Sequence, residues 1–444
     1  MRNPWLILIA GVVGALATLP GQTGGVSPFI DFLMESLQLS RNNLSLAYLI
    51  GTVVSAMSMP RAGRIYDRYG SKLVALLSGG ALGLSLLAIS MADRVVTVLV
   101  VVLPFLTVTL VGTGVMALGF FLLRFFGQGI LSMASRNMVM KWFDYQRGLG
   151  NAVLAPLTAL GASYAPRVFD SMINAMGWRG AWRATGLFLM TVFVLFAWLF
   201  FRDPTRSDRE RARTHRSVRF PLPRSIRRTL RARAECEPAR PEHDYTLEEA
   251  RKTPAYWLFC IIPGFGSLVG TGFTFHVVSV FAAGGMSRAT ALAVFFPATV
   301  FAIVVQLFSN LISDYVRLRY FAAIQMIGIF LLMAGVYSLG PGLPYGALVT
   351  GLGLNAAMSA INGVIVWPRF FGLKHLGAIS GTGFVWMVGG SAFGPYAFSL
   401  AQQLGGDYKL AAMIFGLMAA ALFFAAFKAE NPNRTSVENG QTGC

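Results

Sequence analysis

Long apolar runs recur along almost the whole of this 444-residue sequence. Many reach 18 residues or more, enough for a helix to cross a bilayer core about 30 Å thick. Because that core holds no water, backbone N–H and C=O groups inside it must bond to one another, so only helices or a closed barrel can span it. The runs are continuous rather than alternating, which excludes a barrel. The sequence therefore predicts an all-α integral membrane protein.

The composition agrees with this class. Hydrophobic residues make up 55% of the chain and charged residues 13%, against about 25% charged in soluble proteins. We predict twelve transmembrane helices in two six-helix halves. The predicted spans are 5–33, 42–60, 73–92, 113–135, 147–169, 181–201, 255–281, 289–312, 320–339, 344–367, 377–402 and 408–428.

Lysine and arginine residues lie almost entirely in alternate loops between these spans. Of the 37, 29 lie in one set of loops, the adjoining span ends and the termini, seven lie in or next to the opposite loops, and Arg124 alone lies in the middle of a span. The positive-inside rule assigns the richer side to the cytoplasm. We therefore expect a multi-pass protein of the cell inner membrane with both termini cytoplasmic. Since topology accounts for most of the net charge of +18, we do not expect a nucleic-acid partner.

Two stretches lie outside the regular spans. Residues 95–112 are apolar, but an extra crossing there would put the basic 61–72 and 136–147 loops on opposite sides of the membrane. We expect either an outward helical extension kinked near Pro104 or a re-entrant piece. Residues 202–252 hold 14 Arg and one Lys. They form a linker whose basic face could lie on anionic headgroups, or a cytoplasmic loop with no specific partner.

The linker divides the chain into two weakly related halves. We predict an N-terminal six-helix half at 1–201, the linker at 202–252, a C-terminal half at 253–430 and a cytoplasmic tail at 431–444. The segment GRIYDRYGSK at 63–72 follows the second span, and NLISDYVR at 310–317 follows the eighth. Weak duplication of this kind is typical of transporters that bind solute between repeats.

The motif G-x-x-x-D-R-x-G-x-K at 63–72 resembles the signature loop of the major facilitator superfamily. With the six-plus-six layout, this resemblance covers nearly the whole chain. The segments KWFDYQRGLGNAV and WPRFFGLKHLGAISG resemble the bacterial monocarboxylate and oxalate/formate antiporter-like branch of that superfamily. The resemblance implies a carrier that works by alternating access.

The signature loop supplies candidate gating residues. Asp67 could cap a helix N-terminus or pair with an arginine such as Arg136, and so hold the cytoplasmic side closed. The alternative is plain anchoring at the membrane surface by the basic residues of the loop. The predicted gating residues are Gly63, Asp67, Arg68, Gly70, Lys72, Arg136 and Asp314.

Arg124 is the leading candidate for a substrate-binding residue. A charge at bilayer depth costs roughly 2.5–3.5 kcal/mol, so we expect this side chain to face a cavity and a partner. Its planar guanidinium can grip a carboxylate through two hydrogen bonds. The alternatives are a structural ion pair or a side chain that extends to the membrane surface.

Other polar residues in the spans complete the predicted site. His276 could be a protonation site, a substrate donor or a structural histidine. The break at PGQTGG in span one could expose backbone donors together with Gln22 and Thr23, or its glycines could only permit tight packing. Family analogy places the remaining amides in the cavity, where interhelical hydrogen bonds are their competing use. The predicted substrate-binding residues are Arg124, Gln128, His276, Gln22, Thr23, Asn355 and Asn362.

The sequence contains no G-x-x-x-x-G-K-[ST], H-E-x-x-H or C-x-x-C motif. We therefore expect neither an enzyme nor a cofactor or metal. We predict a monomeric secondary carrier that moves a small organic anion, a monocarboxylate, together with protons. The alternatives are an organic-anion antiporter, a drug exporter, a non-transporting membrane sensor with a carrier fold, and a channel.

Overall fold

The computed structural model describes residues 4–143, 147–205, 243–312, 316–363, 365–372 and 375–432. These residues form helices joined by short turns, with no strand among them, which confirms the all-α prediction. Most of the predicted linker and most of the predicted C-terminal tail lie outside the described residues. The same holds for Asp314 and for the side chain of Asp67.

Eighteen α-helices follow one another in the described part of the chain. They are α1 (Pro4–Ala17), α2 (Thr23–Val26), α3 (Ile30–Leu37), α4 (Arg41–Ile89), α5 (Ala92–Val102), α6 (Val108–Leu122), α7 (Ser132–Trp142), α8 (Arg147–Phe188), α9 (Val194–Phe200), α10 (Leu247–Arg251), α11 (Pro254–Ala283), α12 (Arg288–Ala293), α13 (Phe295–Ile312), α14 (Leu318–Tyr337), α15 (Leu343–Asn362), α16 (Val366–Phe371), α17 (Leu376–Gly405) and α18 (Lys409–Ala426). Two π-helical segments, Leu123–Leu131 and Leu189–Phe193, continue α6 and α8.

In the described part of the chain, each predicted span falls mostly on helical backbone. Among the described residues, eight helical stretches are long and apolar enough to cross a membrane. A bent pair, Trp5–Gly21 and Thr23–Leu37, forms a ninth if it is counted as one span, and its two parts meet at 53°. This bend is the break predicted from the PGQTGG sequence.

The segment at 61–72 is mostly helical, so the predicted loop was wrong over 61–69. Helix α4 runs through these residues and reverses at Gly70, whose φ of 76° and ψ of 177° are strained for a residue with a Cβ. Ala62 and Tyr66 are buried and pack against Ile130 and Ala134. This i, i+4 pair gives the charged stretch one apolar face, and that face keeps it helical.

The apolar stretch at 95–112 is also helical. It forms most of α5, a turn at 103–107 that contains Pro104, and the first residues of α6. Helix α5 packs against both α6 and α3. The stretch is therefore a helical hairpin that turns at the predicted proline.

The chain divides into two compact units. The described residues of unit 1 fall within Met1–Val218, Thr274–Val278 and Arg288–Phe296, and those of unit 2 fall within Arg219–Phe273, Ser279–Ser287 and Pro297–Cys444. The sequence halves at 1–201 and 253–430 remain a prediction.

Each unit has its own aromatic core. In unit 1, Phe29 stacks on Trp182 with their ring centroids 4.6 Å apart. In unit 2, Phe398 stacks on Phe415 at 5.1 Å. Such pairs add about 0.5–1.5 kcal/mol to the free energy gained by burying their surface. These packed cores hold the polar groups described next.

Candidate functional site

A π-helical turn and a broken helix meet in unit 1. Gln22 has extended backbone angles (φ −97°, ψ 155°) and interrupts the first span. Gly21 lies directly against the π-helical segment, where a Cβ would collide with the carbonyl oxygen of Leu123 and approach the Cα of Gly127. The missing side chain therefore lets the break approach the segment that carries Arg124. π-Helical turns occur frequently at functional sites.

Arg124 is buried beside this break, with 5% of its surface exposed. Its Nη1 donates a hydrogen bond to Thr23 Oγ1 at 3.2 Å, and its Cζ lies 5.2 Å from the centroid of the Tyr48 ring. Thr23 Oγ1 and the Tyr48 hydroxyl are 2.7 Å apart. A hydroxyl and a ring face thus help to orient the guanidinium. The structure thus brings together two predicted residues, Arg124 and Thr23, and adds Tyr48.

Aromatic rings form one wall of this cluster. The Tyr48 ring lies edge-on to Phe120 at 5.4 Å and to Phe275 at 4.8 Å between centroids. All three side chains are fully buried. Charge interactions are stronger in such a low-dielectric setting than in water. Tyr48 was not singled out from the sequence, because a tyrosine within an apolar run has the pattern of a packing residue.

His276 lies next to this wall. Its ring is fully buried and its Nε2 is 3.5 Å from Ser45 Oγ. Ser45 lies three residues before Tyr48, on the same helix α4. The histidine predicted as a protonation site is thus close to the aromatic wall in unit 1.

The two predicted glutamines are oriented differently from Thr23. Gln22 donates from Nε2 to Thr18 Oγ1 at 2.7 Å, so its amide points back along the chain. Gln128 is exposed on the π-helical segment, whereas Arg124 is buried. No hydrogen bond shown within the described residues joins either glutamine to Arg124.

The predicted asparagines lie in unit 2, in a buried network around Gln325. Gln325 Nε2 donates to Asn355 Oδ1 at 3.1 Å and to Ser359 Oγ at 2.7 Å. Asn362 Nδ2 donates to Gln325 Oε1, and Asn355 Nδ2 donates to the Gly266 carbonyl, both at 2.9 Å. This geometry supports the alternative that the two asparagines form interhelical hydrogen bonds. Gln325 was missed, although it is the only amide side chain in its predicted span.

The predicted gating residues that the structure describes lie on α4 and α7. Lys72 Nζ is 4.9 Å from the ring centroid of Trp198. Arg68 and Arg136 are exposed, and a Cβ on Gly63 would meet no atom within 4 Å. The pairing of Asp67 with Arg136 stays a prediction.

Asp203 contacts the chain next to the predicted gating residue Gly70. It accepts hydrogen bonds from the Ser71 N–H at 2.8 Å and the Ser71 hydroxyl at 2.7 Å, and it pairs with Lys141 Nζ at 3.0 Å. Burial opposes ionisation of Asp203, but these donors outweigh it and hold the pKa of the carboxyl below its ordinary value of 3.8. Asp203 therefore fixes the chain just after the Gly70 turn.

The all-α fold with at least eight apolar spanning helices defines a polytopic membrane protein. Residues 12–395 match the model of the Major Facilitator Superfamily. The chain therefore belongs to this superfamily of transporters, and it is not an enzyme. A comparison with curated proteins found no match.

Solved structures share the fold over nearly the full length. A D-xylose–proton symporter aligns with a TM-score of 0.67 at 16% identity, covering 97% of this chain and 99% of that chain. A bacterial homologue of the human lysosomal transporter Spinster, in an inward-facing and unoccupied conformation, gives 0.62 at 13% identity, covering 98% and 94%. The nucleoside transporter NupG gives 0.61 at 12%, covering 97% and 99%. The predicted superfamily and twelve-helix fold are confirmed, and the monocarboxylate branch stays a prediction.

Proposed function

We propose that this chain carries a small organic anion, a monocarboxylate, across the cell inner membrane by proton-coupled alternating access. The observation that supports this most is the buried guanidinium of Arg124, held between Thr23 and the Tyr48 ring. A positive charge kept at membrane depth is costly, and binding of an anionic solute would offset part of this cost.

The chemistry of the cluster favours one carboxylate. A guanidinium offers two parallel N–H donors that match the two oxygens of a carboxylate. The Thr23 hydroxyl lies beside it as a further hydrogen-bonding group. The aromatic wall of Tyr48, Phe120 and Phe275 suits the short apolar part of such a solute. Among the described residues of this cluster, Arg124 is the one cation, so the cluster matches a solute with one carboxylate better than a solute with two.

We assign the coupled proton to His276. An imidazole changes its charge closest to physiological pH, and this ring is buried near the same aromatic wall. Uptake would then carry the anion and a proton together, with little net charge moved. The transporter would act as a monomer with both termini in the cytoplasm, and the 61–72 segment would open and close the cytoplasmic side.

Uptake into proteoliposomes tests this function. Purified protein is reconstituted and offered labelled formate, acetate, lactate, pyruvate or oxalate, with and without an inward proton gradient. We expect saturable uptake of at least one monocarboxylate, which the gradient accelerates. Uptake that depends only on an opposing internal anion would indicate an antiporter. No uptake or exchange of any carboxylate would contradict the proposal.

A further inference from the structure

Residues of unit 2 line a partly open cavity of about 360 Å³. Helix α11 contributes Phe259 and Pro263 to its lining, and α17 contributes the stretch from Ser380 to Met387. The remaining side is formed by Gly363, where α15 ends, and by Trp367 of α16. Its volume lies within the range of about 300–1,000 Å³ that is usual for small-molecule sites.

The Trp367 indole is a fixed wall of this cavity. The ring is 2% exposed, and its Nε1 donates to the Gly363 carbonyl at 3.1 Å. A Cβ on Gly383 would collide with the six-membered part of this ring, so α17 packs closely against it. The indole is therefore held in one orientation, with its N–H already bonded.

Part of the α17 wall has no side chain. A Cβ placed on Gly381 would meet no atom within 4 Å, so the space beside it is open. Phe259, which is 1% exposed, adds a second buried ring to the lining. The open space beside Gly381 thus belongs to a cavity that two aromatic side chains, Phe259 and Trp367, help to line.

The lining selects against charge. None of the described residues that line the cavity is charged, and Ser380 supplies the only side-chain hydroxyl. A charged ligand would lose its hydration there without a counter-ion. A neutral aromatic ring would bury apolar surface and gain stacking contacts.

We propose that this cavity binds a small neutral aromatic compound. This proposal goes beyond the proposed function. The residues that line the cavity belong to unit 2, whereas the Arg124 cluster lies in unit 1. The binding needs no anion and no proton.

Equilibrium binding of labelled 2-naphthol to the protein in lipid nanodiscs tests the proposal, with empty nanodiscs correcting for partition into lipid. Gly381→Leu fills the open space without a clash. Gly389→Leu is the matched control, because Gly389 lies on the same helix, outside the cavity, and also has open space around its Cβ position. Naphthalene-2-carboxylate serves as the charged analogue of the probe.

We expect saturable binding of 2-naphthol that Gly381→Leu weakens by about tenfold or more, while Gly389→Leu stays within about twofold. The naphthalene carboxylate should bind about tenfold more weakly than 2-naphthol, because its charge must be desolvated. Binding equal to that of empty nanodiscs, or binding unchanged by Gly381→Leu, would overturn the proposal. If decanol displaced the labelled probe at a lower concentration than unlabelled 2-naphthol does, the cavity would be a site for acyl chains. This result would overturn the aromatic assignment. Carboxylate uptake is measured separately, so failure here leaves the proposed transport function standing.

Discussion

Two polar clusters are buried in apolar helices, one in each unit, and they differ in charge. In unit 1, the contacts of the charged Arg124 guanidinium include the Thr23 hydroxyl and the Tyr48 ring. In unit 2, neutral amides bond to one another around Gln325. Polar groups inside a membrane protein can therefore serve binding or helix packing. A buried charge at membrane depth favours a role in binding, and amides that donate to one another favour a role in packing.

The difference extends to backbone geometry. Arg124 lies on a π-helical segment beside a broken span, where the regular backbone pattern is interrupted. Gln325 and Asn355 lie within the regular helices α14 and α15. Irregular backbone at membrane depth is tolerated where it faces protein or a cavity. The irregular cluster is thus the better candidate for contact with solute.

Replacing Arg124 should have the largest effect on transport. Arg124→Gln keeps a polar side chain but removes the charge, and losing one partner of a buried charge pair costs about 2–5 kcal/mol. We expect monocarboxylate uptake, measured as kcat/KM in proteoliposomes, to fall by roughly 100-fold or more. Arg94→Gln removes an exposed arginine at the start of α5 and is the charge-matched control. If uptake by Arg124→Gln stayed within a few-fold of that by the unsubstituted protein, the unit 1 cluster could not be distinguished from the unit 2 network by a role in binding.

The Thr23 hydroxyl should have the next largest effect. Thr23→Val keeps the shape of the side chain but deletes the hydrogen bonds to Arg124 and Tyr48. Hydrogen bonds to charged groups contribute about 1.5–3 kcal/mol, so we expect kcat/KM to fall by about tenfold. Thr113→Val, which removes only a local bond to the Thr109 carbonyl, should leave uptake unchanged. Equal loss in both variants would show that the effect is not specific to the cluster.

Gln325 should affect stability and hardly affect transport. Gln325→Leu breaks three interhelical hydrogen bonds, each contributing about 0.6 kcal/mol on average in membrane proteins. We expect the free energy of unfolding in an SDS titration to fall by roughly 2 kcal/mol, with uptake within about twofold. Gln402→Leu, near the end of α17, is the control. A tenfold loss of carboxylate affinity in Gln325→Leu would place the amide network in the binding site.

Replacing Asp203 should have a small effect on stability, and the size of this effect should depend on pH. Because its pKa is lower in the folded state than its ordinary value of 3.8, the ionised carboxyl stabilises the fold above that value, and this contribution is lost as the pH falls through the lowered pKa. We expect Asp203→Asn to lower the melting temperature at pH 7, with a difference from the unsubstituted protein that shrinks below about pH 4. Glu248→Gln, an exposed carboxyl on α10, should show no such difference. A constant difference from pH 7 to pH 3 would contradict the assigned pKa.

The sequence indicates some of these residues because their chemistry is rare where they lie. Arg124 is a charge at the middle of the predicted span 113–135, and Thr23 lies in a glycine-rich break. Both signals are local, so they can be read without a structure. The spans themselves follow from long apolar runs, which only helices can satisfy in a bilayer.

Other features depend on contacts between distant segments. Tyr48 and Asp203 gain their roles from neighbours 25 and 132 residues away in the sequence. The 61–69 helix was missed because its charges are those of a surface loop, while its apolar face at Ala62 and Tyr66 requires Ile130 to be recognised. Such partners become visible only when the chain is folded.

The affinity of the protein for a charged solute and for its neutral analogue tests the role of Arg124 most directly. Isothermal calorimetry measures the Kd of lactate, or of another monocarboxylate found in the uptake screen, and the Kd of its neutral carboxamide, for the unsubstituted protein and for Arg124→Gln. We predict that the unsubstituted protein prefers the carboxylate by about 100-fold and that the variant binds both solutes with similar, weak affinity. A variant that keeps the full preference for the carboxylate would show that the anion is recognised elsewhere.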